Sequence, residues 1–464
     1  MNFLRKKTRN VDSNRTKSVY DSLKNEMYSS AIFALNVKCL YKLFDWLTLK
    51  ELNALAGTCK RFNIICGAYF LQNFSPSAVC IDDGIVVYRH RFRGTIFGYK
   101  LNAFSKYMEK ITIPTGRLSQ FRYVEFNCVE SLIELCFVDV DLTDVKIKRI
   151  KHILGRIETV ELIDCHVHVQ FYDGFIKYCY KLKRLKLSNV ELKYGNDWML
   201  RNFSTLEHLQ LIKCKNIKRS ELEVLFEMNP NIWSFEIDAD LLWENKMVIL
   251  ETGVKWNDLI VHVTHPRNTI TISIYSLLNT FHTRGHFKRL HLRCGDMLSQ
   301  PFIDRIRYLN ALETLHVKGE PGCVLSRLYD LKELHTFSGN LNMDESAKNL
   351  LSLEKVVFWD TTIEDVVSII RKSVKLKEIQ IRTLKEKGRF SAHFNAKNYF
   401  QQGALNLIAL NGERKQLSGA DTVTIFVSED IFLATKWTTD ETSHGLIELK
   451  RIMLHDWNTL FLKL

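Results

Sequence analysis

The stretch LKRLKLSNVEL, residues 182–192, decides the fold of this chain. Leucines stand at positions 182, 185, 187 and 192, and LEHLQLIKC, residues 206–214, repeats the first three at the same spacing. Alternate side chains of a β-strand point to opposite faces, so Leu185 and Leu187 point inward while Lys186 points outward. The spacing predicts a short strand at each leucine pair. The rest of each unit returns the chain, usually through a helix.

The same pattern recurs along most of the chain. Its first seven starts lie at 108, 132, 157, 182, 206, 232 and 256, separated by 24, 25, 25, 24, 26 and 24 residues. Further units start at 287, 312, 331, 353 and 376, and the step of 31 residues before position 287 indicates an insertion. With 46% apolar residues, chance matches do not produce so regular a series. The period is that of a repeat protein.

Repeats of this length predict an α/β fold. Each unit buries its apolar face only against its neighbours, so we expect a curved solenoid with a parallel sheet inside and helices outside. Thr362 with Asp365 forms the N-terminal capping pattern of one helix, and Ser220 with Glu223 forms that of another. We expect residues 384–419 to be an irregular polar segment, followed by two final strands near 423–427 and 446–449 in a terminal cap.

The stretch 35–62, LNVKCLYKLFDWLTLKELNALAGTCKRF, predicts two or three short helices ahead of the repeats. Two apolar stripes have helical spacing. Thr48 and Glu51 between them form a capping box, which starts a second helix. So short a segment has more apolar face than it can bury alone. Because a solenoid supplies its own core, we expect most of the stripe at Leu40, Phe44 and Leu47 to lack a partner within the chain.

This stretch resembles an F-box, and residues 106–385 resemble the leucine-rich-repeat family. The F-box pattern is matched by Glu51-Leu52 and Cys59-Lys60 among others, while Asn36 replaces the usual proline and Lys38 the usual acidic residue. The resemblance implies a non-catalytic substrate receptor that binds the Skp adaptor of cullin-RING (SCF) ubiquitin ligases. The residues that it assigns to adaptor binding are Leu35, Leu40, Leu43, Phe44, Leu47, Leu52, Leu55, Cys59 and Phe62.

The outward positions of the predicted strands suggest where a protein substrate binds. In the later units these positions carry basic side chains beside aromatic ones, a combination common at interface hot spots. Neighbouring strands lie about 4.8 Å apart, so we expect one contiguous, exposed patch. Its members are Arg289, His291, Arg293, His316, Lys318, His335, Phe337 and Trp359. A merely solvated face is the alternative.

Composition and motifs exclude other classes of function. The chain has 464 residues, 11 cysteines without a Cys-x-x-Cys pair, and no apolar run long enough for a membrane span. We expect reduced thiols and a cytoplasmic or nuclear location. No nucleotide, hydrolase or metalloprotease motif is present, and Cys165-His166-Val167-His168 has no second ligand pair at a zinc spacing. We therefore expect no enzyme activity, no metal and no cofactor.

The predicted organisation is a basic, disordered tail over 1–30, F-box-like helices over 31–70, a linker over 71–105, repeats over 106–385, and irregular repeats with a cap over 386–464. Two other functions stay open. The helices could only cap the solenoid of an interaction scaffold, as the departures at Asn36 and Lys38 suggest. The net charge of +13 could instead favour nucleic acid, although no recognition motif accompanies that charge.

Overall fold

The computed structural model describes residue 32 and residues 35–74, 77–81, 84–92, 95–128, 130–264, 269–320, 322–325, 328–336, 341–384, 400–401, 404–439 and 443–451. The predicted tail over 1–30 lies outside these residues.

Three helices open the described chain, as predicted. They are α1 (Val37–Phe44), α2 (Leu49–Ala56) and α3 (Lys60–Asn73). The side chain of Asn36 caps α1 by accepting a hydrogen bond of 2.9 Å from the Cys39 N–H. The predicted capping box at α2 is confirmed, since Thr48 accepts from the Glu51 N–H at 3.2 Å and Glu51 accepts from the Thr48 N–H at 2.8 Å. Both caps satisfy donors that a helix leaves unpaired.

Strands occur at every predicted unit. In chain order they are β1 (Ser77–Ile81), β2 (Gly84–Phe92), β3 (Thr95–Lys100), β4 (Lys110–Pro114), β5 (Glu134–Val138), β6 (Asp141–Leu142), β7 (Thr159–Ile163), β8 (His166–Val167), β9 (Arg184–Ser188), β10 (Glu191–Leu192), β11 (His208–Ile212), β12 (Ser234–Asp238), β13 (Trp256–Val263), β14 (Phe287–Leu298), β15 (Leu312–Gly319), β16 (Glu333–Thr336), β17 (Lys355–Phe358), β18 (Glu378–Ile381), β19 (Phe400–Gln401), β20 (Ala404–Leu405), β21 (Val423–Val427), β22 (Ser443–His444) and β23 (Ile447–Arg451).

Eighteen of the strands in the described ranges form one large sheet. From β1 through β4, β5, β7, β9 and β11 to β18, and then on to β21 and β23, each strand pairs in parallel with the next. Strands β2, β3 and β22 are the antiparallel members at the two ends. The α/β class with a large, mostly parallel sheet is confirmed.

The register of the sheet places equivalent residues of successive units side by side. Leu185 lies opposite Leu209, which lies opposite Phe235, and all three are buried. The residues between them form rows on the other face, so Lys186 lies opposite Gln210 and Gln210 opposite Glu236. A slip of one residue would exchange the two faces, so the apolar pattern fixes this register.

Helices follow many of the strands and bury one face against the apolar side of the sheet. They are α4 (Leu118–Asn127), α5 (Asp144–Leu154), α6 (Arg219–Met228), α7 (Ala239–Glu244), α8 (Lys246–Thr252), α9 (Thr269–Thr283), α10 (Gln300–Ile306), α11 (Met343–Ala347), α12 (Ile363–Lys372), α13 (Leu407–Lys415) and α14 (Glu429–Thr439). No helix within the described ranges combines the length and apolar character needed to cross a bilayer.

The two predicted helix starts have different outcomes. The capping box of Thr362 and Asp365 at α12 is confirmed. The predicted cap at Ser220 is wrong, because α6 begins at Arg219, one residue earlier than that cap. Glu221 accepts a hydrogen bond of 2.8 Å from the Lys218 N–H, so the N-cap residue is Lys218 rather than Ser220.

The prediction of an irregular segment over 384–419 is wrong in its second half, where α13 forms. Its buried Arg414 explains why this helix packs. The guanidinium donates hydrogen bonds to the carbonyl oxygens of Ser373, Val374 and Leu376 at 2.6, 2.8 and 2.9 Å. These oxygens lie just beyond the C-terminal end of α12, where carbonyl groups have no partner within the helix.

Candidate functional site

Helix α1 has an inward apolar face. Leu40 and Phe44 are each only 1% exposed, and the ring of Phe44 packs edge-on against Tyr69 of α3 with centroids 5.4 Å apart. The expectation that this stripe lacks a partner within the chain is therefore wrong for Leu40 and Phe44. Both residues belong to the continuous apolar core of the chain.

The same segment presents a second apolar face to solvent. Leu43 is 48% exposed and Trp46 is 38% exposed. Cys39 is also exposed and lies one turn before Leu43 on the same face of α1, while Trp46 lies in the turn that follows the helix. We call Cys39, Leu43 and Trp46 the outer stripe. Leu43 is one of the residues that the sequence analysis assigned to adaptor binding. Cys39 and Trp46, which lie beside it, were not among them.

A helical projection of the sequence could have found the outer stripe. At about 100° per residue, Leu43 lies about 60° from Leu40 on one side while Phe44 lies about 40° from Leu40 on the other. The sequence analysis treated these residues as a single stripe. The other residues assigned to adaptor binding lie inside or between the helices. Leu52 and Phe62 are buried, and Leu35, Leu47, Leu55 and Cys59 are half-buried.

The N-terminal helices also contact the last described part of the chain. The Leu49 N–H at the start of α2 donates to Oε1 of Glu429 at 2.7 Å. Arg451, the last residue of β23, donates to the carbonyl oxygen of Leu47 at 2.9 Å and to that of Asp45. Nζ of Lys436 lies 3.6 Å from Oδ2 of Asp45. We call this set of contacts the end clasp. It joins Asp45, Leu47 and Leu49 to Glu429, Lys436 and Arg451.

The second candidate surface is the polar face of the sheet. Nη2 of Arg289 donates a hydrogen bond of 2.7 Å to Oδ2 of Asp258, and Nε lies 2.6 Å from Oδ1 of the same ion pair. His291 Nε2 lies 3.1 Å from the same carboxylate. The Asp258 carboxylate on β13 thus compensates the charge of Arg289 on β14.

A second carboxylate, Glu236, lies buried at the centre of this face. Nη1 of Arg293 contacts it, and Nε2 of His262 lies 2.5 Å from Oε1. Burial alone would raise the pKa of Glu236, but Arg293 and His262 together lower it. Burial lowers the pKa of His262 despite this contact, and it lowers the pKa of neighbouring His208 to about 4. Burial thus favours the uncharged form of both histidines.

The polar face of the sheet continues with charged and histidine side chains on β15, β16 and β17. The rings of His316 and His335 are stacked with centroids 3.7 Å apart. Burial lowers the pKa of both rings. Nε2 of His335 lies 2.8 Å from Glu333 Oε1, and Nζ of Lys355 lies 2.9 Å from the same oxygen. These contacts outweigh burial and lower the pKa of Glu333 to about 2.

The structure keeps part of the predicted patch together but buries some of its members. The register places His262, Arg293, His316 and His335 in one row on neighbouring strands. Lys318 on β15 is half-buried. The expected exposure is wrong for His316, which is 5% exposed and stacked on His335. It is also wrong for Trp359, which is 7% exposed and has the Arg382 guanidinium 5.0 Å from its ring centroid. Phe337 lies outside the described residues.

The predicted patch left out the acidic side chains of this face. Glu236, Asp258 and Glu333 stand at outward strand positions. The register pairs Asp258 with Arg289 and Glu333 with Lys355, whereas Glu236 lies opposite Gln210 and Ile260 and contacts Arg293 from two strands away. The result is a charge-compensated face rather than a basic one. Among the described residues, no cluster of three or more His, Cys, Asp or Glu side chains has a geometry that could hold a metal ion.

Comparison with protein-family models gives no match for this chain, and comparison with curated proteins gives none either. The F-box and leucine-rich-repeat resemblances therefore rest on the sequence pattern alone.

Proposed function

We propose that this chain is a non-catalytic substrate receptor of an SCF-type ubiquitin ligase. In this proposal the N-terminal helices are an F-box that binds the Skp adaptor, and through it the cullin-RING ligase, in the cytoplasm or nucleus. The parallel sheet and its helices are a leucine-rich-repeat solenoid that binds a target protein. Strand spacing of 24–26 residues and strict parallel pairing in chain order support the repeat assignment.

The observation that carries the proposal is the outer stripe. A helix that already contributes Leu40 and Phe44 to the core has no structural need for a second apolar face. Leu43 nevertheless remains in contact with water, and so does part of Trp46, whose ring centroid lies 4.7 Å from Nζ of Lys436. This exposure has a free-energy cost that a partner would remove. Tryptophan is also the residue type most enriched at interface hot spots. An adaptor-binding helix needs such a face.

Co-purification with the adaptor tests this function. The Leu43→Asp variant places a charge in the outer stripe and should lose the adaptor, while the fold stays intact because Leu43 packs little. Leu351→Asp is the matched control, since Leu351 is exposed on the repeats far along the chain. Substitutions of Leu40 or Phe44 are unsuitable, because they would unfold the helices. Absence of the adaptor from the wild-type preparation would exclude the ligase function.

The end clasp favours a second candidate, a scaffold in which the N-terminal helices only close the repeat array. The contacts of Arg451 and Glu429 with the helices show that they do pack on the far end of the chain. A scaffold of this kind would not bind the adaptor, and Leu43→Asp would leave its partners unchanged. Deletion of residues 1–65 does not separate the two functions, because it removes buried residues in either case.

The nucleic-acid alternative has less support. Arg289 and Arg293, the two arginines of the predicted basic patch, are bound to Asp258 and Glu236. Phosphate contacts would first have to break these pairs, at a cost of several kcal/mol for buried groups. Binding to nucleic acid that weakens steeply between low and physiological salt would revive this alternative.

A further inference from the structure

The large sheet is long compared with the distance between its ends. Fifteen of the described strands, β1, β4, β5, β7, β9, β11 to β18, β21 and β23, follow one another in parallel. At about 4.8 Å per step, the ladder has a contour length of about 65–70 Å. A flat ladder would hold its first and last strands that far apart.

The two ends of the ladder nevertheless meet. Phe74 lies three residues before β1, and Arg451 is the last residue of β23. The Arg451 guanidinium lies 5.5 Å from the centroid of the Phe74 ring. Hydrogen bonds from Arg451 to the carbonyl oxygens of Leu47 and Asp45 hold this contact. A ladder of this length can bring its ends together only by turning through about a full circle.

The polar face lies on the inside of that turn. The helices pack on the apolar face, and packed helices need about 8–10 Å between axes where strands need about 4.8 Å. The helical side must therefore be the outer, longer arc. With the N-terminal helices filling the gap, a circumference of about 80 Å gives a diameter of about 25 Å between strands. Considering only the residues that the structure describes, side chains of about 5 Å on each wall leave a clear width of about 15 Å.

We infer that the polar face of the sheet lines a closed opening that admits one polypeptide segment of the target, extended or helical, and excludes a folded domain. An α-helix with its side chains is about 10–12 Å wide and fits this width. A folded domain of about 75 residues has a radius of gyration of about 11 Å and hence a diameter approaching 30 Å. This inference rests on the proposed function, because it names the part of the target that the receptor engages.

The charges on the inner face indicate what kind of segment fits. In the strands from β4 to β23, outward positions carry eight basic and eight acidic side chains, which leaves no net charge. The basic ones are Lys110, Arg184, Lys186, Arg289, Arg293, Lys318, Lys355 and Lys450, and the acidic ones are Glu134, Glu161, Glu236, Asp238, Asp258, Glu333, Glu378 and Glu448. Such a lining suits a polar segment of low net charge and gives no attraction to a polyanionic strand.

Cysteine labelling with reagents of two sizes tests the opening without any partner. The exposed native thiol is removed by Cys39→Ser, and the two half-buried ones are removed by Cys59→Ser and Cys214→Ser. In that background, Ile260→Cys and Gln380→Cys place a thiol at half-buried positions of the inner face, on β13 and β18. Glu227→Cys places one on the exposed outer surface of α6. Each variant is treated with N-ethylmaleimide and with a maleimide joined, without a flexible linker, to a folded carrier protein of about 75 residues.

The cysteines at the inner positions should react with N-ethylmaleimide. Their labelling by the carrier-linked maleimide should be about tenfold or more below that of Glu227→Cys, because the carrier is wider than the opening. Two inner positions are used so that one misfolded variant does not decide the test. The inference is overturned if a cysteine at either inner position, in a well-folded variant, is labelled by the carrier to within about threefold of Glu227→Cys. Failure of both inner positions to react with N-ethylmaleimide overturns it too. Neither result bears on adaptor binding, which Leu43→Asp tests separately.

Discussion

Arg451 is the residue whose removal should separate the two ends of the chain. Arg451→Met keeps the length of the side chain and its packing between the rings of Phe74 and Phe432, whose centroids lie 5.5 and 4.6 Å from the guanidinium. It removes the hydrogen bonds to the carbonyl oxygens of Leu47 and Asp45. It also removes the positive charge that lies 3.9 Å from Glu429, a carboxylate whose side chain is 12% exposed.

The expected loss follows from these contacts. Hydrogen bonds from a charged donor contribute about 1.5–3 kcal/mol each, and breaking a buried ion pair costs about 3–5 kcal/mol. These effects overlap, so we expect the free energy of unfolding to fall by about 3–5 kcal/mol rather than by their sum. Urea denaturation measures the total, and hydrogen exchange of α2 and α14 locates it.

Lys450→Met is the matched control. Lys450 is the preceding residue, is 51% exposed and pairs only at the surface with Glu448 at 3.1 Å. Such a pair is worth about 0–1 kcal/mol. The account of the end clasp is refuted if Arg451→Met destabilises no more than Lys450→Met. It is refuted equally if amide exchange rises in β23 alone while α2 stays protected.

Three other substitutions or conditions have expected outcomes. The unfolded chain binds a proton at His208 near pH 6.5 but the folded chain only near the lowered pKa of about 4, so stability is lost as the pH falls through this window, by about 3 kcal/mol in total from His208 alone. About 2 kcal/mol of this should be lost between pH 7 and pH 5, which urea titrations at these two values measure, and the His208→Asn variant should show a flatter dependence. Phe44→Ala should cost about 3–5 kcal/mol because it empties a core site, whereas Leu43→Ala on the same helix should change the thermal midpoint little. Arg414→Met should destabilise the chain by about 3 kcal/mol in urea, since it removes the guanidinium donor of the Leu376 carbonyl oxygen and that of the Ser373 carbonyl oxygen, which keeps only the Leu376 N–H at 3.2 Å. An unchanged midpoint would show that water replaces the guanidinium.

Most of the sheet could be predicted from the sequence because one physical rule generates it. Leucine pairs such as Leu185 and Leu187 must face the core, and a repeat of about 25 residues places each pair beside the next. Local rules also identified the capping boxes at Thr48 and Thr362. The prediction at Ser220 was wrong because two acidic residues, Glu221 and Glu223, compete for the cap. The structure uses the first.

The candidate surfaces were less predictable because they depend on contacts between distant parts of the chain. Local periodicity cannot show that Arg451 contacts Leu47, which lies 404 positions away. Nor does it show that Asp258 and Glu236 compensate the charges of Arg289 and Arg293, although the strand register could have suggested the pair of Asp258 with Arg289. The buried position of Trp359 depends on its packing beneath Arg382.

The most direct test of the proposed function is the affinity of the purified full chain for the Skp adaptor, measured by calorimetry alongside the Leu43→Asp and Leu351→Asp variants. We predict saturable one-to-one binding for the wild-type chain and for Leu351→Asp. For Leu43→Asp we predict a loss of about a hundredfold or more, as expected when a charge enters the apolar centre of an interface. No binding by the wild-type chain, or equal binding by Leu43→Asp, would contradict the proposal that the outer stripe of α1 is an adaptor site.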